Sequence, residues 1–276
     1  MFALLKAEII LKIRETVPES SVMLSFQKKP LYLPKNLLLN NVSNMKRFFV
    51  FHLAIAAFLV FTACNTTDKR VNGAIYNPDG IELVYVEGIE NDSMSIQGFY
   101  MGKFELTQDQ WRKIMGDNPS GFQGAGNLPV ENVSWNDIQA FLTRLNSATG
   151  KNYRLPTDVE WAFAARGGTA GKFCPGGCEY SGGNNLDDIA WYESNSGNCT
   201  QPVGLKAPNE LGIHDMTGNV WEWCDNWFDE QQRGRVVRGG SWGSIIPRRL
   251  SIAFRTFDEP NYLSHYLGFR VVLPSR

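Results

Sequence analysis

Residues 79–276 read as one α+β domain with few helices, short strands and a loop-heavy second half. Three observations predict it. Three capped helix starts lie close together between Thr107 and Ala164. Short β-branched or alternating runs flank them on both sides. From Gly167 to about Asn209, Gly, Asn, Asp and Ser dominate, and these are residues of turns.

The elements follow in order. Ile81-Glu82-Leu83-Val84-Tyr85-Val86 alternates and is β-branched, which predicts a strand. Gln97 to Glu105 predicts a second. Thr107-Gln108-Asp109-Gln110 is a capping box ahead of Trp111, Ile114 and Met115, and Asn118-Pro119-Ser120-Gly121 should stop that helix. Ser134-Trp135-Asn136-Asp137 caps a second helix, whose Ile138, Phe141, Leu142 and Leu145 share one face. Thr157-Asp158-Val159-Glu160 opens a third, with Trp161 and Ala164. Further strands are expected at 221–223, 235–238 and 269–272. Trp135, Trp161, Trp221 and Trp223 sit inside these elements and are assigned to the core.

With 276 residues, 43% hydrophobic and 20% charged, the bulk of the chain is globular and long enough for a real core. Lys+Arg is 27 against 28 Asp+Glu, so no basic excess points to a nucleic-acid partner. The three histidines are His52, His214 and His265, too few for a His-rich metal or acid–base centre.

The N-terminal part reads as an address. Met45-Lys46-Arg47 is basic, Phe48 to Ala63 is apolar except for His52, and Phe61-Thr62-Ala63-Cys64 precedes a polar stretch. That is the pattern of a secretory signal, too short for a comfortable membrane span of about 20 residues. Small residues directly before a cysteine resemble a lipobox, with Phe61 looser than the usual Leu. Cys64 would be acylated and anchor the chain at the cell surface or outer membrane. A plain signal peptide or an anchor helix is the alternative. The expected organisation is a leader upstream of the true start (1–44), a lipoprotein signal peptide (45–63), a tether (64–78) and the domain (79–276). Cys174, Cys178, Cys199 and Cys224 would then lie where disulfides persist. Four cysteines allow three connectivities, and Cys174-Pro175-Gly176-Gly177-Cys178 could bridge locally. Zinc is disfavoured because the four lack paired C-x-x-C spacing.

Six ordered stretches point further. They are Phe104-Glu105-Leu106-Thr107 with Gln110-Trp111; Pro129 to Trp135; Tyr153 to Trp161; Asn209 to Trp223, containing Gly218-Asn219-Val220-Trp221-Glu222-Trp223; Arg238-Gly239-Gly240-Ser241-Trp242; and Leu267-Gly268-Phe269-Arg270. Together they resemble the formylglycine-generating, or sulfatase-modifying factor, family across nearly all of 79–276. The resemblance implies a C-type-lectin-like fold: a small twisted antiparallel sheet, two main helices and long ordered loops. It also implies copper held by two cysteine thiolates that oxidise a substrate cysteine, since Cu(I) favours soft ligands. Those cysteines fall at the second and seventh places after Gly-Gly-Ser-aromatic, which here are Ser244 and Arg249, and no cysteine follows Cys224. The expectation is a scaffold without that active site: not an enzyme, with no catalytic residue and no required cofactor. An iron-dependent branch of the family needs an added His-rich domain and is disfavoured. An oxidase of the formylglycine-generating type with an unconventional centre is the alternative function. The resemblance also implies a structural calcium, with carboxylates from Asp215 and Glu222 and carbonyls from Gly218 and Val220. In the competing reading Asp215 caps a turn and Glu222 is a buried, paired carboxylate.

Residues 243–266 depart from what packing asks. The candidate surface positions are Gly243, Ser244, Ile245, Ile246, Arg249, Ser251, Ile252, Phe254, Thr256, Phe257, Asp258, Asn261, Tyr262, Leu263, Ser264, His265 and Tyr266. Pro247, Arg248, Leu250, Ala253, Arg255, Glu259 and Pro260 look like frame. Every residue of the first set is reachable from an AAC codon by changing adenines only, whereas Lys, Glu, Gln, Met and Trp are not reachable and are absent from it. On this scaffold, just before Leu-Gly-Phe-Arg, the pattern resembles the variable proteins of diversity-generating retroelements. The resemblance implies an exposed ligand-binding face on a fixed backbone. Loops on a rigid sheet tolerate replacement, and aromatic and Arg residues such as Phe254, Phe257, Tyr262, Tyr266, His265 and Arg249 are natural anchors. Ile245, Ile246, Ile252, Phe254 and Phe257 would form an exposed patch. The expected partner is a protein or cell-surface ligand, met by a monomer. Ordinary packing between loops is the bland alternative.

Overall fold

The computed structural model describes residues 70–71, 74–75, 80–91, 94–171 and 178–275, all within the compact unit Thr66–Arg276. The signal segment, the lipidation candidate Cys64, and Cys174 lie outside the described residues.

The three main helices start where the caps predict. In α1 (Gln108–Met115) the Thr107 hydroxyl accepts from the Gln110 amide, and the Gln110 side chain accepts from Thr107 N–H. The same reciprocal box, Ser134 with Asp137, opens α2 (Trp135–Thr149), and Thr157 with Glu160 opens α3 (Asp158–Ala165). Each box satisfies two otherwise orphaned amides. α1 ends at Gly116, short of the expected Asn118-Pro119 stop, because this glycine takes φ 92° and closes the helix in the left-handed region. A short α4 spans Leu186–Ile189. Among the described residues no helix is long and apolar enough to cross a membrane.

The strands form two main sheets. One has the order β1 (Arg70–Val71), β2 (Ala74–Ile75), β3 (Leu83–Val86), β6 (Phe99–Gly102), β11 (Val272–Pro274), antiparallel throughout. β4 (Ile89–Asn91) and β5 (Met94–Ile96) make a separate hairpin. The other main sheet has the order β10 (Leu267–Gly268), β7 (Trp221–Trp227), β8 (Arg235–Arg238), β9 (Thr256–Asp258), with β10 parallel to β7. Two expectations change here. Residues 70–75, expected in the tether, include two strands that extend the first sheet. The strand expected at 269–272 is split. Leu267–Gly268 pairs with the second sheet and Val272–Pro274 with the first, while Phe269 and Val271 carbonyls between them accept from Leu106 and Gly102 amides. The Gly-Phe-Arg stretch is thus the crossing between sheets.

One core gathers Trp111, the apolar face of α2, Trp223 and Phe269; a second gathers Phe99, Met101, Trp161, Val236 and Val272. Arg270 is fully buried and ties the sheets together: its guanidinium donates to both Glu222 oxygens at 2.6 and 2.7 Å, to Gly102 O on β6 and to His214 O. A bidentate pair of this kind fixes geometry as well as contributing energy.

Candidate functional site

The segment after β8 is steered by Gly239 and Gly240, with φ 95° and 79°. A Cβ at Gly240 would lie 2.5 Å from Leu250 Cδ2, so both conformation and space call for glycine. Trp242 follows and is locked at both ends of its indole and backbone: its amide donates to Asn219 O and its Nε1 to His265 O at 2.9 Å. The later loop is held in the same way. Asn132, Asn136 and Trp221 amides donate to the carbonyls of Ser264, Pro260 and Tyr266 at 3.0, 3.3 and 2.7 Å. The frame therefore grips this loop by its main chain.

Between the two stretches lies a cleft of ≈ 240 Å³, lined by Trp221, Ser241, Gly243, Ser244, Arg249, Asp258, Tyr262, Ser264, Tyr266 and Leu267. Most of these come from the candidate set. Ser244 and Arg249, the places where the family resemblance puts copper-binding thiolates, both line it. A hydroxyl and a guanidinium cannot bind Cu(I) as two thiolates do. The Ser244 hydroxyl instead accepts from Ser241 N–H at 3.0 Å.

The candidate positions divide three ways. Ile245, Ile246, Arg249, Asn261, Tyr262, Leu263, His265 and Tyr266 are exposed, and Gly243, Phe254, Thr256, Phe257, Asp258 and Ser264 are half-buried. The exposed apolar members are Ile245 (76%), Ile246 (52%), Leu263 (50%), Tyr262 (49%) and Tyr266 (43%). Ser244, Ser251 and Ile252 are buried, against the surface expectation. Ile252 packs in the second core with Trp161 and Val236, and the Ser251 hydroxyl donates to Arg248 O. The supposed frame is also mixed: Leu250 is buried, but Pro247, Arg248, Ala253, Arg255 and Glu259 are exposed. The codon pattern carries no information about which way a loop side chain points.

Other features were not legible beforehand. Trp221, assigned to the core, is half-buried and lines the cleft, because it stands at the end of β7. Trp135 is half-buried as well, and with Trp227 it sandwiches the Arg235 guanidinium at 3.9 and 3.8 Å from the ring centroids. His265 Nδ1 lies 2.9 Å from Oε2 of the fully buried Glu131, whose other oxygen accepts from Phe122 N–H. Burial pushes the Glu131 carboxyl up, and the contacts with Phe122 and His265 oppose it. Asp258 stands half-buried in the cleft, and burial alone pushes its carboxyl up to about 6.

In the interior, Glu105, Asp215 and Glu222 are all buried around Arg270. Burial pushes the Glu105 and Asp215 carboxyls up, Asp215 to about 6. Asp215 Oδ2 accepts from Gly204 N–H, while Oδ1 is buried without a partner. An orphaned carboxylate oxygen suits a hard cation. Glu222 receives three N–H donors, from Trp161 and Arg270, which leaves one acceptor place. Of the cysteines, Cys178 is disulfide-bonded, and Cys199 and Cys224 are free thiols. Cys224 is fully buried, and burial pushes its thiol up, away from the thiolate a soft metal needs.

These observations define a C-type-lectin-like domain whose cleft is built from side chains other than metal-binding thiolates. The chain belongs to the sulfatase-modifying factor enzyme 1-like domain family, whose model matches residues 81–274. It is 33% identical to Chaperone protein LppX of Paenibacillus barcinonensis over 83% of this chain and 99% of that one. It is 35% identical to the formylglycine-generating enzyme of Streptomyces coelicolor and 34% to the inactive Cα-formylglycine-generating enzyme 2 of Bos taurus, over 58% of this chain in each case. It spans only 57% and 54% of those two proteins. The family thus includes members that are not catalysts. Among solved structures, Treponema denticola variable protein 1 superposes with a TM-score of 0.63 at 28% identity, covering 72% of this chain and 98% of that one.

Proposed function

We propose that the outward-facing side chains of residues 243–266 form a ligand-binding face that varies while its main chain stays fixed, on a domain that performs no oxidation. The observation that carries this reading is the grip on the loop 259–266. Its carbonyls accept from Asn132, Asn136, Trp221 and Trp242, while Tyr262, Leu263 and Tyr266 remain exposed. Backbone bonds do not depend on side-chain identity, so this grip on the main chain survives replacement of the side chains. Aromatic groups on such a loop are effective contact residues. The similarity to a variable protein supports the same reading.

The ligand is a protein or another cell-surface molecule, met by a monomer; nucleic acid is not the partner. Lipid on Cys64 would hold the domain at the cell surface or outer membrane. No catalytic cofactor is required. A calcium ion taken up at Asp215, with Gly218 and Val220 carbonyls and the remaining place on Glu222, would be structural.

Sequencing the 3′ end of the gene across isolates, beside a near-identical template and a reverse transcriptase gene, tests the reading. Differences confined to template adenines are expected, and changes scattered outside them would overturn it. The enzyme alternative has its own assay: a cysteine peptide incubated with copper-loaded protein should remain unoxidised.

A further inference from the structure

Taking 243–266 to be a recognition face, we infer that the cleft admits a lysine or arginine side chain of a partner protein, its charge against the Asp258 carboxylate and its stem against Tyr262 and Tyr266. Asp258 lines the cleft from β9, where the pairing Arg235↔Asp258 fixes its backbone. Among the described residues its side chain has no hydrogen bond or ion pair. Three arginines on or near β8 and β9 are engaged elsewhere, which leaves Arg249 as the cation that shares the cleft with Asp258. Arg235 is held between Trp135 and Trp227, Arg255 pairs with Asp158, and Arg233 pairs with Asp229. A half-buried carboxyl without a partner carries an unreturned desolvation cost. A guest cation would relieve it.

The remaining walls suit such a guest. Tyr266 is stacked on Trp242, with centroids 4.4 Å apart and planes at 16°, so its ring is held in place where it borders the cleft. Tyr262 and Trp221 add two more aromatic surfaces. Aromatic faces beside a carboxylate attract cations. The volume of ≈ 240 Å³ is below the range of about 300–1,000 Å³ usual for drug-sized ligands and matches one long side chain. Arg249 lines the same cleft, is exposed, and has no ion pair among the described residues. It is the internal competitor for Asp258, and removing it should help a guest cation.

The test is a titration of the full chain with acetyl-arginine amide and acetyl-lysine amide, followed by tryptophan fluorescence and NMR shifts. Acetyl-norleucine amide and acetyl-glutamate amide serve as neutral and acidic probes. The basic probes should bind on the order of tenfold more tightly than the neutral one, as a carboxylate and an aromatic face together provide. Asp258→Asn should abolish that preference with an unchanged near-UV spectrum, and Arg249→Ser should strengthen it. Equal binding of all probes, preference for the acidic probe, absence of binding, or indifference to Asp258→Asn would each overturn the inference. Failure of the underlying recognition reading shows separately, as oxidation of a cysteine peptide or as gene variation outside template adenines.

Discussion

Ile245 and Ile252 are seven positions apart in one variable-looking segment, yet the structure gives them opposite fates. Ile245 is 76% exposed and Ile252 only 2%. Replacing each with Asn, the residue an unmutated AAC codon encodes, separates face from frame. At Ile252 the change removes an aliphatic side chain from the core around Trp161 and Val236, which costs about 2–5 kcal/mol. It also buries an amide without a designed partner, adding about 1–3 kcal/mol. The total, about 3–8 kcal/mol, is comparable with the about 5–15 kcal/mol that holds a whole domain together. At Ile245 nothing comparable is lost, and the change should stay within about 0.5 kcal/mol. Urea unfolding reads both. With a slope of about 1–3 kcal/mol/M, Ile252→Asn should lower the midpoint by more than about 1 M or prevent folding, while Ile245→Asn leaves it in place. Midpoints that move together would refute the division of this segment into editable face and fixed core.

Four further outcomes are expected. Arg270→Lys breaks the two-point bond to Glu222 and leaves three carboxylates crowded in the interior, which should cost about 3–5 kcal/mol in chemical denaturation. His265→Ala leaves the buried Glu131 oxygen short of a partner, and should cost about 1–3 kcal/mol by the same measurement. Calcium should raise the melting temperature of the wild-type domain and not that of Asp215→Asn; equal shifts would exclude Asp215 as a ligand. Binding of acetyl-arginine amide should weaken below pH 6, because the Asp258 carboxyl, pushed up to about 6, gains a proton and loses its charge there. Arg249, Tyr262 and Tyr266 line the cleft beside Asp258, and Asp258→Asn should flatten the profile.

The helices were the most legible part of the fold. Thr107, Ser134 and Thr157 each sit three residues before a group that closes a capping box, a signal contained in four consecutive residues. Strands were harder. β9 and the β4–β5 hairpin gave no clear alternation, and the Phe269–Val271 stretch, apolar enough for a strand, spans two sheets instead. Within the candidate site, family spacing picked out Ser244 and Arg249 as the places where two thiolates would stand, and both line the cleft. Trp221 and the Glu131–His265 pair were not foreseen there. They come from segments far from 243–266 in the chain, and only folding brings them to it.

By itself, the sequence determined the α+β class, the three helix starts and the loss of the thiolate pair, because each is written in residues close together along the chain. Tertiary structure alone decided which of the residues 243–266 face outward, that Ile252 belongs to the interior, and that Asp258 stands unpaired beside two tyrosines. Those outcomes depend on distance through space. The carbonyls of one loop accept hydrogen bonds from residues elsewhere in the chain, and that grip fixes the main chain from which its side chains project.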